Sequence, residues 1–403
     1  MILILLLISL SAFSQVSTKT HFIKYKAYLL TDSTDIAFAI NKQVNYSLGP
    51  ATTLKKIGHN SSLTEKFNYE IISKTLHESG LTKVEYTYIG KLLTEQYVDI
   101  ETYKVVLPLN TETIYKKANR KCASRSGENL FYQSWSPKYR RCPLKKGSDY
   151  EEFKVEFIGE MDSKHELIKD DLRNEGKYKL FFYFGSDYHS TRKFGHAQKG
   201  YDQTLKALKK KGFIKRFDNI QKQEIFNKIS LFSRYQKLTG KIDGIETEVY
   251  LLLGNPDSKT PKAQYEFFRF FKYAFKNASA INYNGHAGLG ENLNFDKLEV
   301  KFKEKITYNQ NQKQLYLLSG CSTYLQSSGF FFSKKKQKNS LILITNGLSV
   351  KLRVNKFLPQ AILNSLSFKD SMTSDSLRVE IYKQMKRAGA SKSQFPMTAV
   401  EFN

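Results

Sequence analysis

A nearly continuous run of apolar residues at 178–184 (Tyr-Lys-Leu-Phe-Phe-Tyr-Phe) most constrains how this chain can fold. Such runs are typical of strands covered on both faces, which occur mainly in parallel sheets between helices. From here to the C-terminus, short apolar runs alternate with stretches of helical periodicity. Strands are also predicted at 213–217, 245–253, 278–283, 315–318 and 341–345, and helices at 200–211, 218–238, 261–276, 356–366 and 374–387. The alternation predicts an α/β domain over 177–403, a mostly parallel sheet flanked by helices.

The preceding part of the chain has a different pattern, in which β-branched and aromatic segments alternate with Gly, Asn and Ser clusters. Strands are predicted at 22–30, 35–40, 66–72, 83–89, 97–107 and 150–158. Short, regularly spaced strands without helical periods are typical of antiparallel sandwiches and barrels. We therefore expect an antiparallel β-rich N-terminal domain over 15–160, joined to the α/β domain by a charged linker at 160–176.

The first 14 residues are largely apolar and end in Ala12-Phe13-Ser14, small residues at the positions that a signal peptidase reads. We interpret residues 1–14 as a signal peptide and expect a secreted or periplasmic protein. At roughly 10 apolar residues the run is too short to cross a bilayer as a helix. No later apolar run reaches the length of a membrane span, so no transmembrane segment is expected.

The chain is strongly basic, with 64 Lys and Arg against 38 Asp and Glu in 403 residues and a net charge of +26. A positive field of this size favours anionic partners such as cell-wall polymers, acidic lipids or nucleic acid. The alternative is that many of these residues form solvated faces, as in the Lys-Ala-Leu-Lys-Lys-Lys run at 206–211. No nucleic-acid-binding motif accompanies the charge, so no specific nucleic-acid partner is expected.

The chain has three cysteines, and their spacing suggests different roles. Cys122 and Cys142 lie in a basic, aromatic insert at 116–150 that also contains the only tryptophan, Trp135. In an exported protein these two can form a disulfide, which leaves Cys321 as the odd thiol. The insert is interpreted either as a stabilising element alone or as a basic, exposed cleavage or docking loop. Cys321 is either reactive or buried and inert.

Two short stretches follow the same plan: Ile-Asn-Tyr-Asn-Gly-His-Ala-Gly-Leu-Gly at 281–290 and Leu-Tyr-Leu-Leu-Ser-Gly-Cys-Ser-Thr at 315–323. Each is an apolar predicted strand that ends in small residues and one reactive side chain, His286 or Cys321. Ligands bind at the carboxyl ends of strands in open α/β sheets. A thiol attacks a carbonyl carbon when an imidazole can take its proton, and backbone N–H groups of Ala287, Gly288 or Cys321 would stabilise the oxyanion.

These two motifs, Gly-His-Ala-Gly and Ser-Gly-Cys-Ser, resemble those of the caspase–gingipain class of cysteine peptidases, particularly separase and CHAT-domain members. The resemblance covers roughly residues 177–350 and implies a caspase-like α/β fold, with His286 as base and Cys321 as nucleophile. In the family, Gly usually follows the His, whereas here Ala287 does. Gln-Ala-Cys, the caspase sequence at the nucleophile, is absent, so specificity for Asp is not implied.

Substrate-binding residues are predicted at three places. In the family the loop after the first strand often lines the P1 pocket; here it is 185–191, where Asp187 would pair with a basic P1 residue. An Asp that caps a turn is the alternative interpretation. Ser319 and Asn346 are further candidates at strand ends. His189 and His196 have no carboxylate or thiol at ligand spacing, so no metal site is predicted, and no cofactor is expected.

Two hypotheses from different classes result. The first is an exported cysteine endopeptidase that acts on protein or peptide substrates through a His286–Cys321 dyad. The second is a secreted, catalytically inactive caspase-like protein that binds anionic surfaces through its net positive charge. For each residue alone the plainer interpretation is structural, with His286 as a turn residue and Cys321 as a small buried hydrophobe.

Overall fold

A computed structural model describes most of the chain: residues 18–53, 57–60, 68–95, 101–123, 131–132, 134–160, 166–185, 195–216, 234–254, 261–287, 292–321, 323–347, 356–368, 372–390 and 398–402. The chain divides into two compact units, Thr18–Met161 and Asp162–Asn403. Within the described ranges, no helix is both long enough and apolar enough to cross a bilayer.

The first unit is built on antiparallel strands, as expected. Its strands are β1 (Thr18–Thr31), β2 (Ile57–Asn60), β3 (Tyr69–Leu76), β4 (Thr82–Glu95), β5 (Lys104–Pro108), β6 (Tyr150–Lys154) and β7 (Glu156–Glu160). Five of them form a sheet in the order β2-β4-β1-β7, with β3 also paired to β4, and β5 pairs with β6. Alternate residues of β1, including Ile23, Tyr25 and Leu29, face the core because side chains alternate across a strand.

Two helices pack in the core of this sheet, and one of them corrects a prediction. The unit contains α1 (Ile36–Asn45), α2 (Leu48–Thr53) and α3 (Ile114–Ala118). The strand predicted at 35–40 is wrong, because the chain there begins α1. The Asp35 side chain accepts a hydrogen bond from the Phe38 amide at 2.9 Å and caps the helix. Ala39, Ile40 and Val44 then share one face, which packs in the same core as β1.

The predicted disulfide is confirmed and lies in a small lobe with its own core. Cys122 and Cys142 are bonded, with their Cα atoms 4.7 Å apart. Trp135 is fully buried and donates from Nε1 to the Tyr46 carbonyl at 2.6 Å. Phe131 and Leu144 join this core. We call residues 114–122 and 131–150 the disulfide lobe, omitting residue 133, which the structure does not describe.

The second unit contains one large sheet. Its strands are β8 (Glu166–Leu167), β9 (Tyr178–Gly185), β10 (Ile214–Arg216), β11 (Arg234–Ile242), β12 (Ile245–Gly254), β13 (Ala280–Asn284), β14 (Gln314–Ser319), β15 (Leu341–Asn346), β16 (Met372–Thr373) and β17 (Thr398–Phe402). The sheet order is β10-β11-β12-β9-β13-β14-β15-β17, and β8 pairs with β16. The five central strands are parallel, whereas β10, β11 and β17 are antiparallel additions.

Helices lie on both faces of this sheet, which confirms the expected α/β architecture. They are α4 (Gly195–Lys210), α5 (Pro261–Asn277), α6 (Phe295–Phe302), α7 (Thr323–Lys334), α8 (Leu358–Leu366) and α9 (Ser374–Arg387). Leu180 and Phe182 of β9 face a core shared with α4, α8 and α9. Phe181 and Tyr183 face an aromatic core shared with α5, α6 and α7. The helix predicted over 218–238 is wrong at 234–238, which belongs to β11; residues 217–233 lie outside the described ranges.

Candidate functional site

The register of two parallel strands places His286 and Cys321 at matching positions. In the pairing of β13 with β14, Asn284 lies opposite Ser319, an offset of 35 residues. His286 and Cys321 are also 35 residues apart, and each lies two residues beyond the last pair of its strand. We call the edge where β9 and β12–β15 end the carboxyl edge. Both side chains therefore follow neighbouring strands at the carboxyl edge.

Glycines let the chain segments at the carboxyl edge approach each other closely. A Cβ atom at Gly320 would lie 3.1 Å from the Cβ of Ala287 and 3.3 Å from the Ala287 amide nitrogen. One at Gly185 would lie 3.1 Å from the Cα of Gly285. The residue before Cys321 thus packs directly against the residue after His286. Such approaches require residues without side chains.

The turn that carries His286 is held by hydrogen bonds that other groups donate to its backbone carbonyl oxygens. The Tyr283 hydroxyl and the Asn292 side-chain amide both donate to the His286 carbonyl oxygen, the latter at 2.8 Å. The Asn292 backbone amide also donates to the Ala287 carbonyl, at 3.4 Å. His286 itself is half-buried. These bonds fix the backbone at 286–287, which limits where the imidazole can lie.

The turn that carries Cys321 is held by Thr323 and Asn346. The Thr323 hydroxyl donates to the Leu318 carbonyl at 2.7 Å and accepts from the Asn346 amide at 3.0 Å. The Asn346 side chain donates to the Gly320 carbonyl at 3.2 Å. Cys321 is half-buried and its sulfur lies outside the disulfide. Strand β15 thereby supports the chain on both sides of this thiol.

The other predicted site residues have different positions. Asp187, Gly288 and His189 lie outside the described residues. Ser319 and Asn346 are buried, with 1% and 4% of their surface exposed, and a role of either in substrate binding stays a prediction. His196 lies in the first turn of α4. Among the described residues, no group of three or more His, Cys, Asp and Glu side chains is placed to hold a metal ion.

Three supporting residues were not predicted from the sequence: Tyr283, Asn292 and Thr323. Tyr283 and Thr323 lie within the quoted motifs and Asn292 lies two residues after the first, but nothing in a sequence says which hydroxyl or amide will reach which carbonyl. Their partners became apparent only when the turns were placed in space.

The arrangement brings three chemical functions to one edge of the sheet. A thiol follows β14, an imidazole follows β13, and the Ala287 amide nitrogen faces Gly320. A nucleophile, a proton acceptor and backbone N–H donors are the components of acyl transfer through a thioester. No protein-family model and no curated protein sequence matches this chain.

Proposed function

We propose that this protein is an exported cysteine endopeptidase with a caspase-like catalytic domain. The observation that carries the proposal is the shared offset of 35 residues, by which His286 and Cys321 each follow the last residue pair of two neighbouring parallel strands by two positions. The close contact of Gly320 with Ala287 adds to it, because it draws the two turns together. The resemblance of the two motifs to the caspase–gingipain class supplies the reaction type.

In the proposed reaction, His286 takes the thiol proton while the Cys321 sulfur attacks the scissile carbonyl carbon. The carbonyl π electrons move to oxygen and form an oxyanion, which backbone N–H groups of Ala287 and Cys321 would stabilise. The C–N bond then breaks, and His286 returns its proton to the leaving amine. A water molecule, deprotonated by His286, attacks the resulting thioester. The C–S bond breaks and His286 returns its proton to the sulfur, which releases the acid product and the thiol.

The proposed export rests on the apolar start of the chain and on the disulfide. The Cys122–Cys142 bond would persist in an oxidising compartment, whereas cytosolic thiols are generally kept reduced. We therefore place the protein outside the cytoplasm, in the periplasm or the medium. Intact-mass analysis of fractionated native cells would test both the location and loss of residues 1–14.

The direct test is cleavage of a fluorogenic peptide library by the purified protein. Cys321→Ala and His286→Ala should each lower kcat/KM by at least about a hundredfold while the circular dichroism spectrum is retained. His77→Ala, a half-buried histidine in the turn between β3 and β4, is the matched control and should leave the rate unchanged. A thiol-alkylating inhibitor should label Cys321 and stop cleavage. Full activity in the Cys321→Ala variant would refute the proposal.

A second candidate function, binding to anionic surfaces, is favoured by the disulfide lobe. The Cys122–Cys142 bond joins chain segments that carry exposed Lys121 on one side and exposed Arg140 and Arg141 on the other. Exposed Lys138 lies in the same segment. Clustered positive charge of this kind attracts polyanions and weakens with salt.

This second function is tested with immobilised heparin as the polyanion. Charge removal at Lys121, Lys138, Arg140 and Arg141 should lower the salt concentration needed for elution. Removal of four exposed lysines from the region of α4, Lys206, Lys209, Lys210 and Lys211, is the control because it changes net charge equally. Equal effects of both sets would show that only net charge matters.

A further inference from the structure

The start of α8 lies at the carboxyl edge, next to β9. A Cβ atom at Gly200 of α4 would lie 3.3 Å from the Cα and carbonyl oxygen of Lys356, and equally close to the Phe184 ring. Phe184 is the next-to-last residue of β9 and lies opposite Asn284 of β13. Lys356 therefore adjoins the strand beside the one that leads to His286.

Two cations lie against one aromatic ring at this point. The Lys356 Nζ is 5.1 Å from the centroid of the Phe357 ring, and the Arg387 guanidinium carbon is 4.8 Å from the same centroid. Lys356 is half-buried, and Arg387 is exposed in the last turn of α9. Both distances lie within the range of cation–π attraction. Two like charges held by one ring repel each other, and an anion near both would relieve that repulsion.

The N-terminal end of α8 adds a partial positive charge, although Pro359 has no N–H and the Gln360 backbone amide already donates to the Phe357 carbonyl at 2.9 Å. Phe357 is its N-cap residue and provides no side-chain acceptor, and the first turn contains no acidic residue. The partial positive charge at this helix end is therefore not compensated by its own sequence. A lysine directly before a helix start adds positive charge where negative charge is favoured. A purely structural role would explain only Arg387, because a positive charge is favourable at the C-terminus of α9.

A buried amide in the first turn of α8 points to the same chemistry. Gln360 is 6% exposed, and its Nε2 has no hydrogen-bond partner within the described part of the chain. A buried donor without an acceptor costs about 1–3 kcal/mol, so such a group calls for a partner such as a bound water, an ion or a ligand. We call Lys356, Phe357 and Arg387, together with Gln360 from the same first turn, the Phe357 cluster. The charged groups of this cluster are both cations, and its unpartnered polar atom, Gln360 Nε2, is a hydrogen-bond donor.

We propose that the Phe357 cluster binds an oxyanion, specifically a carboxylate on the polypeptide substrate, and so makes the enzyme favour acidic segments next to the cleaved bond. This rests on the proposed peptidase function and deepens it. The site lies at the same edge as Cys321 and His286, where a bound chain would pass. Lys356 and Arg387 would pair with the carboxylate, and the partial positive charge at the start of α8 would add to the attraction.

Binding is measured first, without any use of activity. The Cys321→Ala protein is titrated with sodium glutarate or sodium phosphate at constant ionic strength, and thermal unfolding is followed. We expect a saturable rise in Tm that is lost in Lys356→Gln/Arg387→Gln and weakened in Gln360→Leu. Lys209→Gln/Lys210→Gln, which removes two exposed charges from α4, should keep the rise. No saturable effect, or equal loss in the control, would overturn the site.

Cleavage then tests the substrate assignment. Matched peptides that carry Glu, phosphoserine, Gln or Lys at each position around one cleaved bond are compared by kcat/KM. At least one position should favour Glu over Gln by about tenfold, and this ratio should fall toward one in Lys356→Gln/Arg387→Gln but not in the α4 control.

A preference for phosphoserine alone would reassign the site to phosphate, against our proposal. Binding of free anions without any peptide preference would also contradict it. Absence of all cleavage would instead refute the peptidase function, while the binding result would still decide whether the anion site exists.

Discussion

Gly320 packs against Ala287 with no room for a side chain between them. A Cβ at position 320 would lie 3.1 Å from that of Ala287 and 3.0 Å from the Thr323 methyl carbon. Ala287 belongs to the turn after β13, and Gly320 to the turn after β14. The two candidate catalytic turns can therefore lie this close only because residue 320 is glycine, which has a hydrogen atom where alanine has a methyl group.

Gly320→Ala should separate these turns by a few tenths of an ångström. Because catalytic groups act only within narrow geometric limits, we expect kcat/KM to fall at least about tenfold. The overpacked contact should cost about 1–3 kcal/mol of unfolding free energy. Peptide cleavage and urea unfolding measure the two effects. Gly159→Ala is the control, since a Cβ there would meet only Phe22, at 3.7 Å. Unchanged cleavage by Gly320→Ala would show that this contact does not set the site.

Tyr283→Phe removes the hydroxyl that donates to the His286 carbonyl. We expect kcat to fall more than KM rises, because the imidazole would be less well positioned while the binding surface is unchanged. The loss of stability should be about 1 kcal/mol. Tyr316→Phe is the matched control: its buried hydroxyl donates to Gln314 Oε1 at 2.8 Å, within the strand rather than at the carboxyl edge. Equal kinetic effects in the two variants would assign Tyr283 a general structural role.

Thr323→Val should destabilise the turn that carries Cys321. It leaves the Leu318 carbonyl and the Asn346 amide without the hydroxyl that now pairs with both. Each unsatisfied buried group costs about 1–3 kcal/mol, so the urea midpoint should fall clearly. The rate of Cys321 alkylation by iodoacetamide should also change, as its backbone support loosens. Thr323→Ser keeps the hydroxyl and should restore both measurements; failure of that rescue would contradict the assignment.

Lys335 should make stability depend on pH. Its side chain is fully buried and donates to the carbonyls of Asn309 and Gln312, at 2.5 and 2.6 Å, and to Gln314 Oε1 at 3.2 Å. Burial lowers the pKa of Lys335 from 10.5 to about 8. Above pH 8 the unfolded chain therefore binds more protons than the folded one. The unfolding free energy contributed by this group should rise between about pH 8 and pH 10, by up to about 3 kcal/mol.

Urea unfolding at a series of pH values measures this effect. Lys335→Met should remove the rise, whereas Lys334→Met, which loses an ion pair with Asp296 and a cation–π contact with Phe330, should retain it. Above pH 10 the trend should reverse. Burial raises the pKa of Tyr316 well above 10, so only the unfolded chain ionises there. Identical pH profiles for wild type and Lys335→Met would show that the lysine does not titrate in this range.

Loss of the disulfide should destabilise the disulfide lobe. Cys122 and Cys142 are separated by 20 residues, and a closed loop of this length stabilises by about 3 kcal/mol. Trp135 is the only tryptophan of the chain and is buried in this lobe, so its fluorescence reports on this region alone. Cys122→Ala/Cys142→Ala should shift that transition to lower urea concentration. The wild-type protein in reducing agent should match the variant; an unshifted transition would show that the lobe is held by its core.

The sequence by itself determined the α/β class of the second unit, the antiparallel strands of the first and the disulfide. A continuous apolar run such as 178–184 requires a strand that is buried on both faces, and such a run can be recognised from the local composition alone. Local composition also misled us at 35–40. The Asp35 cap and the apolar spacing of Ala39, Ile40 and Val44 start a helix there, and the segment was too short for its period to be recognised.

Only the tertiary structure decided what meets at the carboxyl edge. The sequence named His286 and Cys321, but their alignment depends on the register of β13 with β14, and that register is set by the packing of both strands between two layers of helices. The hydroxyl of Tyr283, the links made by Thr323 and Asn346, and the approach of Arg387 to Phe357 join residues that are distant in the chain or depend on turn geometry. Hydrogen bonds and cation–π contacts are short-ranged, so they follow from where the backbone places each side chain and cannot be derived from residue types alone.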